Sequence, residues 1–145
     1  MVKVLIVHGA GMNMRGKVQI DRFGPMALAE YDKLIKQYAS ELNVTVETFH
    51  SNIEGEVINR FYDAHDGDVD AALINPAGYS RGHSALAAAI SQVRYPTIEI
   101  HVSNPAAHGA VSEIAPVCRG TVTGFGPFGY YLGLKAALHL VSIRD

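Results

Sequence analysis

Residues 71–102 read AALINPAGYSRGHSALAAAISQVRYPTIEIHV. Residues 71–74 form a short apolar run ended by Asn75-Pro76, residues 85–93 are alanine-rich, and residues 97–102 carry Thr97, Ile98, Ile100 and Val102. The two outer runs read as strands, the first as a short apolar run and the second as a β-branched one. The alanine-rich middle reads as a helix. A strand, a helix and a second strand in that order make a crossover unit, whose strands run parallel.

The same alternation continues on both sides. Residues 2–7 are continuously apolar apart from Lys3, the pattern of a strand buried on both faces. Residues 25–43 place Met26, Leu28, Tyr31, Leu34, Ile35, Tyr38 and Leu42 at helical spacing behind Pro25, which suits a first turn. Residues 44–49 alternate as a second strand. Residues 53–65 form a helix with Val57, Ile58, Phe61 and Tyr62 on its buried side. Beyond the central unit, residues 121–123 predict a short fifth strand and residues 126–140 a final helix that opens on glycines. Five strands alternating with helices predict an α/β protein: a flavodoxin-like three-layer sandwich with a five-stranded parallel sheet, as one domain over residues 1–145. In such sheets ligands bind outside the carboxyl ends of the strands.

Composition narrows the partners. At 145 residues with 48% hydrophobic and 18% charged side chains, the chain suits one water-soluble domain. A net charge of −2 without long runs of one sign predicts neither nucleic acid nor a membrane surface as partner. No apolar run approaches the ~20 residues of a membrane span, and residues 1–7 are too short for a signal peptide. The single cysteine, Cys118, allows no internal disulfide, so a cytoplasmic setting is expected, with Cys118 as a small buried hydrophobe.

The segments that follow the strands hold the chemistry. After the first strand, His8 to Gly24 forms a long polar connection with several glycines, a length typical of functional lids. It lacks the Gly-Lys-Ser/Thr ending and the GxGxxG spacing of phosphate loops. After the second strand, Ser51 or Asn52 suits a helix cap followed by Glu54 and Glu56. After the third strand, Asn75 leads into Tyr79, Ser80, Arg81, His83 and Ser84 at a helix start, where free N–H groups favour an anion. On the fourth strand, Glu99 and His101 are two residues apart and point to one face. A carboxylate beside an imidazole fixes its tautomer and favours its charged form, as a general acid needs. Ser103-Asn104 follows with donors suited to a carboxylate. No third ligand follows at metal-binding spacing, so no metal is expected.

These motifs resemble the type II 3-dehydroquinate dehydratases over nearly the whole chain. The resemblance rests on Phe49 to Glu56, on Ile74-Asn75-Pro76-Ala77-Gly78-Tyr79, on Glu99-Ile100-His101-Val102-Ser103-Asn104, and on Gly124-Phe125-Gly126 followed by Gly129-Tyr130. Gly9 and Asn13-Met14-Arg15-Gly16 fit the family's lid. The resemblance implies a cofactor-independent hydro-lyase assembled as trimers and dodecamers. In that chemistry a lid tyrosinate removes a proton beside a ketone, an asparagine-held water stabilises the enolate, and a histidine protonates the departing hydroxyl. Carried over, His101 is the general acid, Glu99 orients it, Asn13 positions the water, Asn75 binds substrate hydroxyls, and Val102 and Ser103 bind the carboxylate.

The chain departs from the family at the other half of the site. Aligned on Gly16 and Gly24, the lid arginine and the lid tyrosine fall on Val18 and Phe23, and Phe23 has no ionisable hydroxyl. Arg81 stands where the family has a histidine, Ser112 near where it has an arginine, and His108 follows the Ser-Asn pair. His83, Tyr79 and His8 are the candidate replacement bases, with Arg81 and Phe23 lining the substrate. The expectation is therefore a hydro-lyase acting on a small anionic oxygenated carboxylate other than 3-dehydroquinate. The alternatives are an authentic 3-dehydroquinate dehydratase with a replaced base, or a non-catalytic oligomeric binding protein.

Overall fold

The computed structural model describes residues 1–144. Five parallel strands form one sheet in the order β2-β1-β3-β4-β5. They are β1 (Lys3–Ala10), β2 (Thr45–His50), β3 (Ala71–Ala77), β4 (Thr97–His101) and β5 (Gly120–Thr123). Helices α2 (Leu28–Glu41) and α5 (Gly129–Ser142) cover one face, and α3 (Glu54–His65) and α4 (Ser84–Gln92) cover the other. The strand order and the three layers are the flavodoxin-like arrangement that the alternation predicts.

The period of two along each strand divides the core. Val4, Ile6, Leu73, Ile98 and Ile100 pack under α2 and α5, while Leu5, Val7, Ala72 and Ile74 pack under α3 and α4. Each fully buried valine, leucine or isoleucine among them contributes about 1.5–3 kcal/mol of transfer free energy. Gly133 in α5 lets that helix close onto the sheet, because a Cβ there would lie 2.6 Å from Ile100 Cδ1. Among the described residues no helix is long and apolar enough to cross a membrane.

The helix expected from Pro25 opens only at Leu28, with Ala27 as its N-cap, so Pro25 precedes it and is not in its first turn; two further boundaries that differ from expectation place the site. Strand β1 runs on to Ala10, and β3 continues through Asn75 and Pro76 to Ala77. The pairing of β3 with β4 stops at Ile74 opposite Glu99, so Pro76 interrupts no ladder on that side. On the other side His8 faces Asn75 and Ala10 faces Ala77. Between them the backbones approach so closely that a Cβ on Gly9 would lie 2.0 Å from the Pro76 carbonyl oxygen. The lid also contains a one-turn helix α1 (Ile20–Phe23), entered through Gln19 in the left-handed region at φ 51°. No apolar periodicity announces so short a turn.

Candidate functional site

A cavity of about 420 Å³ opens at the carboxyl ends of the strands. The lid supplies Arg15, Val18, Gln19, Arg22 and Phe23. The end of β3 supplies Asn75, Ser80 and Arg81. The end of β4 and its loop supply His101, Val102, Ser103 and Ser112. No acidic side chain, tyrosine or cysteine lines this cavity among the described residues, and His101 is its single imidazole.

The β4 rim forms as its alternation requires. Glu99 is 2% exposed, and its Oε1 lies 3.1 Å from His101 Nε2. The pair is close enough to attract, though the ring nitrogen is not aligned for a hydrogen bond. The other carboxylate oxygen, Oε2, accepts the Ser112 hydroxyl at 2.5 Å. Ser112 Oγ in turn accepts the backbone N–H groups of Ile114 and Ala115 at 3.2 and 3.3 Å. The carboxylate beside His101 is therefore itself held by a hydroxyl whose lone pairs are committed to the backbone. Cys118 stands near Glu99, and burial, with the neighbouring carboxylate adding, pushes its thiol up to about 12. It is inert as a nucleophile at neutral pH.

Asn75 is buried at the end of β3 on the opposite face of the sheet from Glu99. Its Oδ1 accepts the Ala77 N–H at 3.2 Å, and its Nδ2 lies 3.5 Å from the Tyr130 hydroxyl. Ala77 then turns with φ 46°, a strained conformation for a residue with a Cβ, which bends the chain around the cavity. Val102, Ser103, Arg81, Val18 and Phe23 all line the cavity where the sequence placed them.

Other expected residues stand elsewhere. His8 is 1% exposed in β1, and its Nε2 meets Asp32 Oδ1 of α2 at 2.7 Å. Tyr79 is buried, and its hydroxyl donates to the Ser51 carbonyl at 2.9 Å. Burial raises its pKa, and the nearby Glu54 and Glu56 carboxylates raise it further, which is the opposite of what a base requires. His83 packs edge-on against Tyr79, with Nδ1 3.1 Å from Glu54 Oε1. The anion expected at the start of α4 is Glu54 itself, whose Oε2 accepts the Leu86 N–H at 3.2 Å. None of these three candidate bases lines the cavity, and each is engaged by a partner outside it: Asp32, the Ser51 carbonyl and Glu54. Asn13 Oδ1 accepts from Asn52 Nδ2 at 3.2 Å, and Asn52 Oδ1 accepts the Gly11 N–H at 2.8 Å. Asn13 thus pins the lid and does not line the cavity. His108 is exposed in the turn Pro105–His108, away from it. Ser51, expected as a helix cap, bonds the Ile53 N–H and Glu56 Oε1.

Arg15, Arg22 and Gln19 line the cavity without having been singled out from the sequence. An arginine in a polar lid carries no periodic signal. The one cue was its place beside Gly16, which lies against Pro25 and Ala27 in the left-handed region.

Comparison with known proteins places this site in a family. The family model for class II dehydroquinases matches residues 2–138. A 3-dehydroquinate dehydratase from Desulforudis audaxviator is 41% identical over 144 residues, covering 97% of this chain and 95% of that protein. A second, from Campylobacter jejuni, is 39% identical over 142 residues, covering 96% and 89%. The crystal structure of a type II dehydroquinase from Butyrivibrio crossotus superposes with a TM-score of 0.90 at 28% identity, covering 94% of this chain and 97% of that one. A 3-dehydroquinate dehydratase-like protein from Bifidobacterium longum superposes at 0.75 with 30% identity, covering 98% and 99%. By the extent of these matches, the chain belongs to the class II dehydroquinase family of hydro-lyase enzymes.

Proposed function

We propose that the cavity dehydrates 3-dehydroquinate. A proton passes from the carbon beside the ketone to water in the cavity, an enolate forms, and His101 gives its proton to the hydroxyl, which departs as water and leaves a conjugated ketone. Glu99 orients His101 and balances the imidazolium, and Ser112 holds Glu99. Ser103, the backbone at Val102, and Arg81 form the wall that takes the carboxylate, and Asn75 faces the hydroxyls. The observation that carries this reading is the buried Glu99 beside His101 in the wall of a cavity that otherwise holds guanidinium, amide and hydroxyl groups. The shared name of the relatives favours 3-dehydroquinate over the different carboxylate that the lid changes suggested.

The test is direct: mix the protein with 3-dehydroquinate and follow the ultraviolet absorbance of the conjugated product. A rise that scales with protein is expected. A second reading has one observation behind it. No second proton-accepting side chain lines the cavity among the described residues, and by the resemblance Phe23 stands where the family has its lid tyrosine. On that reading the cavity binds hydroxylated carboxylates without turnover. A flat absorbance trace at high protein concentration, with binding intact, would select it.

A further inference from the structure

Arg15 is a cavity residue that the chemistry above leaves unused. Its Cζ lies 3.6 Å from the centroid of the Phe23 ring, while Arg22 reaches the same ring at 5.2 Å. Among the described residues its one hydrogen bond is weak, from Nε to the Met12 sulfur at 3.3 Å. Neither Nη group has a protein acceptor, and no carboxylate lies within ion-pair distance, among the described residues. Behind it are the buried phenols Tyr31 and Tyr130, which burial keeps neutral by raising their pKa values. Burial also lowers the pKa of Arg15, so the protein takes water from this guanidinium without replacing it by a counter-charge.

An arginine half removed from water is normally paired. Here it stacks on an aromatic ring, which sets the guanidinium plane and leaves its fork of N–H groups free for a planar oxyanion. The cavity around it has three guanidiniums and no acidic side chain, so a negative ligand is the missing partner. This also gives Phe23 a use: the ring that lacks the hydroxyl of a base is the platform for a cation.

We propose that Arg15, seated on Phe23, is an oxyanion-binding residue of this cavity, its fork taking either the carboxylate of the ligand or the enolate oxygen formed from the ketone. The enolate arm rests on the reading under Proposed function; the carboxylate arm does not require turnover.

The experiment is calorimetric titration with quinate and with its uncharged methyl ester, on the wild type, Arg15→Met, Arg15→Lys and Lys17→Met. In parallel, kcat and KM are measured for 3-dehydroquinate. Arg15→Met is expected to weaken quinate about 30-fold while the ester changes little, as befits lost charge-assisted hydrogen bonds. Arg15→Lys should fall between, since an ammonium keeps the charge without the fork. Lys17→Met, an exposed lid cation outside the cavity, removes the same net charge and should leave quinate binding as it was. If quinate binding survives in Arg15→Met while kcat falls about 100-fold at unchanged KM, the oxyanion is the enolate. Arg15→Lys also guards against a folding defect in the methionine variant, which circular dichroism melts would reveal. Unchanged quinate affinity together with unchanged kcat in Arg15→Met overturns the proposal, as does an equal loss for quinate and ester. A wild type that neither binds quinate at millimolar concentration nor turns over substrate overturns it too. Arg15-dependent quinate binding without any turnover keeps this inference and removes the dehydratase reading.

Discussion

The β4 rim and the lid face each other across one cavity, yet they are built on different principles. At the rim, Glu99 is locked by the register of three strands, opposite Ile74 on one side and Thr121 on the other. Its carboxylate is buried, and His101 follows two residues on. The lid from Gly11 to Gly24 pairs with no strand; its own short turns, the buried Met12, and the contacts of Asn52 with Gly11 and Asn13 and of Arg15 with Phe23 hold it. A strand cannot change its inward residues without cost to the core. A loop pinned at a few points can exchange a tyrosine for a phenylalanine, or place an arginine on it, and leave the sheet untouched. The Glu99–His101 side of the cavity is thus tied to the fold, and the side that faces it is free to vary.

His101→Ala breaks the comparison most sharply. On the proposed reading it removes the proton donor to the leaving hydroxyl, and kcat for 3-dehydroquinate should fall about 10³-fold. Glu99→Gln leaves the ring in place and removes the charge beside it, so a loss of about 10²-fold in kcat with little change in KM is expected. Steady-state kinetics with circular dichroism as the folding control decide both. Equal activity of His101→Ala and wild type would end the assignment of the acid.

Phe23→Tyr sharpens the other side. The new hydroxyl would stand on the ring that carries Arg15, and a guanidinium at that range favours the phenolate. A gain of about tenfold in kcat is expected, measured at several pH values between 6 and 9. If turnover does not rise, the lid phenylalanine is not what limits proton removal, and the rim alone sets the rate.

How far the sequence reaches follows the same division. The alternation of residues 71–102 led to the sheet, and the spacing of Glu99 and His101 led to the rim, because a strand's period of two is local. The run of β3 past Pro76 was not legible, since it depends on where pairing with β4 stops and on Gly9 in another strand. The assignments of His8, Tyr79 and His83 as bases failed to bring them to the cavity for a related reason. Their partners Asp32, Ser51 and Glu54 lie more than twenty residues away in the chain, and only the packed layers bring them together. Arg15 was hidden because its meaning lies in Phe23, eight positions on, across an irregular turn.

Tyr79→Phe has the smallest expected effect and separates a structural phenol from a catalytic one. It removes the hydrogen bond to the Ser51 carbonyl and leaves the packing, at a cost of about 1 kcal/mol. The pH dependence has a definite sign. Burial first, then Glu54 and Glu56, raise the pKa of Tyr79 in the folded state above its unfolded value of about 10. The neutral phenol therefore contributes its stability in full below about pH 10, and that contribution is lost as pH rises through the folded pKa. Urea melts at pH 7 should show wild type more stable than Tyr79→Phe by the full amount, and melts above pH 10 should bring the two together. Because the hydroxyl points into the protein and away from the cavity, kcat should stay within twofold across neutral pH. A large loss of kcat at unchanged stability would instead return Tyr79 to the chemistry, and would mean that the loop after β3 moves when substrate binds.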